Sequence, residues 1–283
     1  MNDRFKNEPK EAGGYRPLAL EGYKGMIQAS YDDPLLRQAL GRADVLWSYP
    51  GIEILADKRN RLGVFRFAFS SGQVRDIVVK EYSSRGVTKL KSPFLPSKAA
   101  RAWRGAMALK QRGLGTALPV AYFEKRKSGF VCASFFLSEK IENAEEIRTL
   151  FRRCAGPDLD SLLLSLARHL SLCHDAGILH RDLSDGNILV KKDEEKNLVF
   201  YLLDTNRIRL KRKISSLARV KNLIRLGIPA SAQKPFLEYY FGGKPPAQFL
   251  WVWYKINKAV YAGYVKLKKA LRLRQLARKL GVQ

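Results

Sequence analysis

Eight consecutive residues, His180-Arg181-Asp182-Leu183-Ser184-Asp185-Gly186-Asn187, constrain this chain more than any other stretch. They follow a segment of helical period, residues 159–176, with Leu159, Leu162, Leu163, Leu166, Leu170 and Leu172. They precede two short apolar runs, Ile188–Val190 and Val199–Leu203, separated by the turn Lys192–Asn197, and the second run delivers Asp204. The spacing predicts a helix running into a loop that opens on a small hairpin, with one acid in the loop and one at the strand end. That arrangement is a phosphoryl-transfer site in outline. Asp182 is the candidate base for an attacking hydroxyl. Asn187 offers a neutral oxygen and Asp204 a charged one, a ligand set that suits a hard cation keeping several waters, such as Mg2+. His180 and Arg181 are expected to support the loop. Singly, such residues crowd ordinary turns; in this order they form the long pattern H-R-D-L-x-x-x-N.

With 283 residues and 46% hydrophobic composition, the chain is large enough for one big domain or for two lobes sharing a cleft. Residues 1–42 are polar and read as an irregular lead-in. Segments 51–55, 63–70 and 75–82 are rich in branched and aromatic residues and predict an antiparallel meander. A helix follows at about 97–112, with Ser97 as N-cap and Gly113 as stop, and strand character resumes at 118–123 and 129–137. After Lys140 the period lengthens. Residues 144–154 and 159–176 predict helices, and the chain from about 213 is mainly helical. The expected fold is therefore α+β and bilobal: a lobe over 43–137, made of an antiparallel sheet with one helix, and a mainly helical lobe over 138–254. A basic amphipathic helix over 255–283 completes it. Lys80, inside the apolar strand Ile77–Tyr82, is the candidate phosphate-gripping lysine. The crossover at 138–141 places Glu139 and Ile141 where backbone groups could meet an adenine edge. His169 and His174 read as packing or surface residues.

Charge narrows the partner. Lys plus Arg total 52 against 26 Asp plus Glu, a formal +26, so the surface should meet something anionic. No acid occurs between Thr205 and Leu237, where Arg207, Arg209, Lys211 and Arg212 lead a cationic run and form a candidate substrate-binding group. From Tyr239 onward acids are again absent. Val260, Tyr264, Leu267, Leu271 and Leu276 recur on one helical face opposite Lys266, Lys268, Lys269, Arg272 and Arg278, a pattern that suits an anionic membrane surface. Nucleic acid is not expected as a partner, because no aromatic-interleaved platform or nucleic-acid motif is present. Three cysteines without a CxxC pair argue against a disulfide framework or structural zinc. The charged start has no apolar signal core, and the aromatic run Phe249–Tyr254 is too short to span a bilayer. These features point to a reducing, cytosolic protein that touches a membrane.

Taken together, the residues resemble the protein-kinase-like fold and, within it, the lipopolysaccharide kinase family that phosphorylates Kdo or heptose in the inner core. The likeness is carried by Ser97–Leu109 with Gly113–Tyr122, by His180–Asn187 with Leu203-Asp-Thr-Asn-Arg207 in place of a D-F-G element, and by Leu217–Leu226. It covers about residues 43–240. It implies an ATP- and Mg2+-dependent kinase acting on a sugar hydroxyl of lipopolysaccharide or another anionic glycolipid, peripheral on the cytoplasmic face of the inner membrane. Two departures stand out. No G-x-G-x-x-G occurs in the first hairpin, where Ala56–Gly63 stands instead, and the helix 97–112 carries no acid to pair with Lys80. They leave two alternatives: a kinase-like phosphotransferase with another substrate, or a pseudokinase that binds anionic lipid.

Overall fold

The computed structural model describes residues 14–41, 43–57, 60–83 and 90–270. The chain divides into two compact units, Met1–Trp103 with Leu118–Lys140 and Arg104–Ala117 with Ile141–Gln283. Part of the expected lead-in, residues 58 and 59 of the Ala56–Gly63 segment, and the tail residues Leu271, Arg272, Leu276 and Arg278 lie outside the described residues.

The first unit is a seven-stranded antiparallel sheet, β1 (Tyr15–Leu20), β2 (Tyr23–Gln28), β3 (Glu53–Asp57), β4 (Asn60–Ala68), β5 (Val74–Tyr82), β6 (Pro119–Lys127) and β7 (Phe130–Glu139), in the order β1-β2-β6-β7-β5-β4-β3. The meander expected over 51–82 is present. The lead-in is where the expectation fails: residues 15–28 form a hairpin on the sheet edge, and α1 (Pro34–Gly41) follows. Two local signals explain it. Glu21-Gly22 makes the two-residue turn, Gly22 taking φ +70°, so that Leu20 pairs with Tyr23 and Leu18, Tyr23 and Ile27 reach the core. Asp33 caps α1, its Oδ1 accepting from the Leu35 and Leu36 amides at 2.8 and 3.3 Å, and Pro34 opens the helix.

The helix expected at 97–112 is α2 (Lys98–Lys110), and the Ser97 hydroxyl accepts from the Ala100 amide at 3.0 Å. Gly113 ends the turn beyond it with φ +66°. The division between units falls inside α2. Its first half stays with the sheet, Ala99 and Ala102 packing on Tyr82, whereas Ala108 and Leu109 belong to the core of the second unit. A lobe boundary at 137 therefore does not describe the chain; the second unit borrows residues 104–117 from upstream.

The second unit is mainly helical, with β8 (Glu145–Glu146), α3 (Ile147–Arg153), α4 (Gly156–Asp175), β9 (Ile178–His180), β10 (Ile188–Lys192), β11 (Leu198–Leu202), β12 (Ile208–Leu210), α5 (Ser216–Leu223), α6 (Gln233–Tyr240) and α7 (Gln248–Ala270). Leu162, Leu163, Leu166 and Leu170 of α4 are buried, each contributing roughly 1.5–3 kcal/mol by leaving water. Leu172 departs from the leucine pattern and is exposed. Phe236 and Leu237 of α6 pack in the same core, together with Ile188 and Leu202 from the hairpin.

Candidate functional site

The loop is pinned at both ends by strand pairing. At its start, β9 pairs antiparallel with β12, His180 opposite Ile208, and the Arg181 amide donates to the Arg207 carbonyl at 3.1 Å. At its end, Asn187 enters β10, whose ladder with β11 sets Ile188 opposite Leu202, and the Leu203 amide donates to the Asn187 carbonyl at 2.9 Å. The hairpin thus returns the chain to the loop, bringing Asn187 and Asp204 together although seventeen residues separate them. Asp204 adopts the left-handed conformation, φ 52° and ψ 42°, which aspartate tolerates better than most side chains. Gly105 of α2 lies against the turn that follows: a Cβ there would meet the Thr205 carbonyl oxygen at 2.2 Å.

His180 is buried and its imidazole ties the loop together. Its Nε2 donates to the Leu203 carbonyl at 2.8 Å, so Nδ1 is the acceptor, facing the Asp182 amide at 3.3 Å. Burial lowers its pKa, which keeps the ring neutral and this tautomer in place. Asn222 of α5 donates to the His180 carbonyl at 2.9 Å, while its Oδ1 meets His174 Nε2 at 3.0 Å. His174 also contacts the Tyr240 hydroxyl at 2.6 Å, and burial depresses its pKa to about 4. It is a packing residue, as expected from its place on the leucine-rich helix, and it buttresses the loop from behind.

The Asn187 Nδ2 donates to the Asp182 carbonyl at 2.8 Å and lies 3.4 Å from the Ser184 hydroxyl. Both amide protons are thereby directed into the loop, which turns Oδ1 outward as the acceptor. One amide oxygen and one carboxylate form a hard oxygen ligand set that would suit Mg2+. Among the described residues no group of three His, Cys, Asp or Glu side chains could hold a metal by itself. The Asp182 carboxylate, about a quarter exposed, contacts Arg225 through Oδ1 and approaches Arg207 Nε at 4.0 Å through Oδ2.

Of the substrate-binding group, Arg207 borders Asp182, and Arg209 stands half-buried next to it. The Arg209 pKa is lowered by burial and then by the charges of Arg181 and Arg207, so three guanidinium groups crowd one flank of the loop. Such a cluster stabilises an oxyanion placed among them. Lys211 and Arg212 are exposed farther along the same segment. Arg225, counted in the sequence only as one more charge of the basic run, is the site residue that sequence reasoning missed. Only its contact with Asp182 sets it apart, and nothing in the local pattern announces that contact.

Lys80 and Glu139 belong to the first unit, and Ile141 to the second. Lys80 sits on β5 in the first unit, opposite Leu62 and Phe136, with Nζ 5.4 Å from the Tyr82 ring centre. The face of α2 nearest Tyr82 is Ala99 and Ala102, so the position where an acid was sought is an apolar contact. Glu139 is engaged by both its amide and its side chain. Its amide donates to the Leu118 carbonyl at 2.9 Å, and its carboxylate binds the Tyr31 hydroxyl and lies 3.4 Å from Arg75. Burial raises its pKa. The Glu139 amide is thus committed within the first unit; Ile141 opens the second unit.

Two comparisons bear on this arrangement. The model of the lipopolysaccharide kinase (Kdo/WaaP) family matches residues 56–236. The chain belongs to that family. It is accordingly a kinase, and its match spans both the Lys80 strand and the Asp182 loop. A solved structure of WaaP in complex with acyl carrier protein is similar at a TM-score of 0.57 and 21% identity, covering 80% of this chain and 95% of that one. At that identity the likeness speaks for the fold, a bilobal kinase-like one. No curated protein matches the chain.

Proposed function

We propose that this kinase transfers the γ-phosphoryl group of ATP to a sugar hydroxyl, on Kdo or heptose, of the lipopolysaccharide inner core. The observation that carries the reading is the convergence of Asp182, Asn187 and Asp204 on one loop and hairpin, flanked by the guanidinium groups of Arg181, Arg207 and Arg209. Asp182 orients the acceptor hydroxyl and takes its proton as the new oxygen–phosphorus bond forms and the bond to the β–γ bridging oxygen breaks, releasing ADP. Asn187 Oδ1 and the Asp204 carboxylate would hold Mg2+, which supplies counter-charge to the phosphate oxygens. Lys80 would grip the ATP phosphates, and the cationic strand after Asp204 would meet the phosphates and carboxylates of the core.

The membrane reading has support of its own. Phe249, Val252, Ile256, Val260, Tyr264 and Leu267 form an exposed apolar stripe on α7, while Leu250 and Tyr254 on its other face are buried. The stripe begins well before residue 255, so the amphipathic segment includes the whole helix. Among the described residues no helix is long and apolar enough to cross a membrane. A basic helix with such a face lies in the lipid interface and keeps the enzyme peripheral, on the cytoplasmic side where ATP is available.

Transfer of label from γ-32P-ATP to purified lipid A–core acceptors tests the activity. Asp182→Ala and Asp204→Ala should each lower turnover roughly 1,000-fold without unfolding the chain; full turnover in both variants would overturn the site assignment. Sedimentation with anionic vesicles tests α7. The double variant Ile256→Glu, Val260→Glu should stay in the supernatant, and undiminished binding would refute the interfacial helix.

A further inference from the structure

The segment that follows α5 is fastened to the catalytic loop at three points. Asn222 donates to the His180 carbonyl at 2.9 Å, Arg225 pairs with Asp182, and the Gly227 amide donates to Asp185 Oδ1 at 2.6 Å. Gly227 cannot be larger without displacing that carboxylate, since a Cβ there would lie 2.3 Å from Asp185 Oδ2. From behind, α7 holds the same segment. Lys258 Nζ donates to the carbonyls on either side of Arg225, Ile224 at 3.3 Å and Leu226 at 2.9 Å, and to the Tyr254 hydroxyl at 3.1 Å. The Arg225 guanidinium lies over the Tyr261 ring at 5.5 Å. Its backbone is therefore fixed and its side chain aimed, and the part left adjustable is the guanidinium end.

That end is incompletely used. The Arg225 Nε is buried and has no hydrogen-bond partner among the described residues, while Nη1 takes the Asp182 carboxylate. A guanidinium is a planar fork whose Nε and Nη donors together match a carboxylate or phosphate. An accepting hydroxyl has to come within about 2.6–3.2 Å of the Asp182 carboxylate to pass it a proton. Arg225 touches that same carboxylate, so the group flanking the hydroxyl on the acceptor is the group that meets Arg225.

We propose that Arg225 is the specificity-determining residue of the acceptor site: it reads an oxyanion, carboxylate or phosphate, borne by the acceptor beside the hydroxyl, and it gives up Asp182 to do so. This rests on the assignment of Asp182 as the base. Without an acceptor, Arg225 and Arg207 hold the Asp182 carboxylate in place. When an anionic acceptor arrives, its oxyanion takes the Nε and Nη donors, and the Asp182 oxygen that Arg225 occupied turns to the hydroxyl. A neutral acceptor leaves that oxygen paired and is a poor substrate.

The test compares three lipid A–core acceptors: native, methyl-esterified at its carboxylates, and dephosphorylated. Wild-type kcat/KM should fall roughly 10- to 100-fold on one of the two modifications, the size of one charge-assisted pair, and the modification that matters names the oxyanion. In Arg225→Gln the ratio of native to modified acceptor should collapse towards one, and Arg225→Lys, which keeps the charge without the fork, should keep part of it. Equal losses on all acceptors in Arg225→Gln would mean a structural role and overturn the proposal, as would a wild-type rate indifferent to both modifications. Asp182→Ala separates the two claims. If it still turns over every acceptor, the base assignment fails, while the Arg225 ratio continues to report on acceptor recognition.

Discussion

The loop around Asp182 and the strand around Lys80, proposed above to carry complementary parts of one chemistry, are built in opposite ways. The loop is a hydrogen-bonded assembly: His180 joins it to Leu203, Asn187 joins it to Asp182, and Asn222 and Gly227 tie it to the segment after α5. Lys80 stands on a regular strand whose neighbour in the helix above is the apolar contact of Tyr82 with Ala99 and Ala102. Polar networks in a low-dielectric interior fix direction, and each member is costly to leave unpaired. An apolar contact fixes distance and leaves the direction of a neighbouring cation to other groups. The family's loop chemistry is therefore specified residue by residue, whereas the Lys80 side keeps its lysine on different packing.

The comparison can be broken first at Lys80. Lys80→Met should lower kcat/KM for ATP roughly 100-fold, the loss expected for a lysine proposed to grip the ATP phosphates. A variant that binds and turns over ATP normally would make the Asp182 loop sufficient by itself.

Acid titration should separate the two regions next. His169 and His174 both have pKa values pushed from 6.5 to about 4 by burial. Below pH 6.5 the unfolded chain takes up protons that the native one refuses, so stability conferred by the neutral rings is present above pH 6.5 and is lost as pH falls towards 4. At pH 5 the loss is about 2 kcal/mol per histidine. Urea unfolding at pH 7.5 and pH 5 measures it. His174→Gln, which removes the titrating ring, should shrink the pH-dependent drop by about that amount, and an unchanged drop would show that the ring does not carry it.

The smallest effect belongs to the start of α2. Ser97→Ala removes the hydroxyl that accepts from Ala100 and should cost about 1 kcal/mol of stability. Because this end of α2 packs by apolar contact, KM for ATP should stay within about two-fold of wild type, a change worth only ~0.4 kcal/mol. A larger shift would show that the helix orients Lys80 after all.

Much of this was legible along the chain because it depends on near neighbours. The leucines of α4 declare a helix, Ser97 and Gly113 declare the ends of α2, and the His180–Asn187 pattern declares its loop. The hairpin Tyr15–Gln28 is hidden by the polar composition of residues 1–42, although Glu21-Gly22 is a turn signal between two runs that alternate towards the core. The contacts of Glu139 with Leu118, Tyr31 and Arg75 are not legible along the chain, because those partners are distant in sequence.

The sequence by itself determined the meander over 51–82, the helices α2 and α4, the surplus of positive charge and the candidate phosphoryl-transfer groups, since periodicity, composition and a contiguous motif are local properties. Tertiary structure alone decided that Asn187 and Asp204 sit side by side, that α2 divides between two units, and that Arg225, with Arg207, meets Asp182. The reason is physical: a charge acts over a few ångströms in space, and which charges come that close is set by strand pairing and helix packing between residues far apart in the chain.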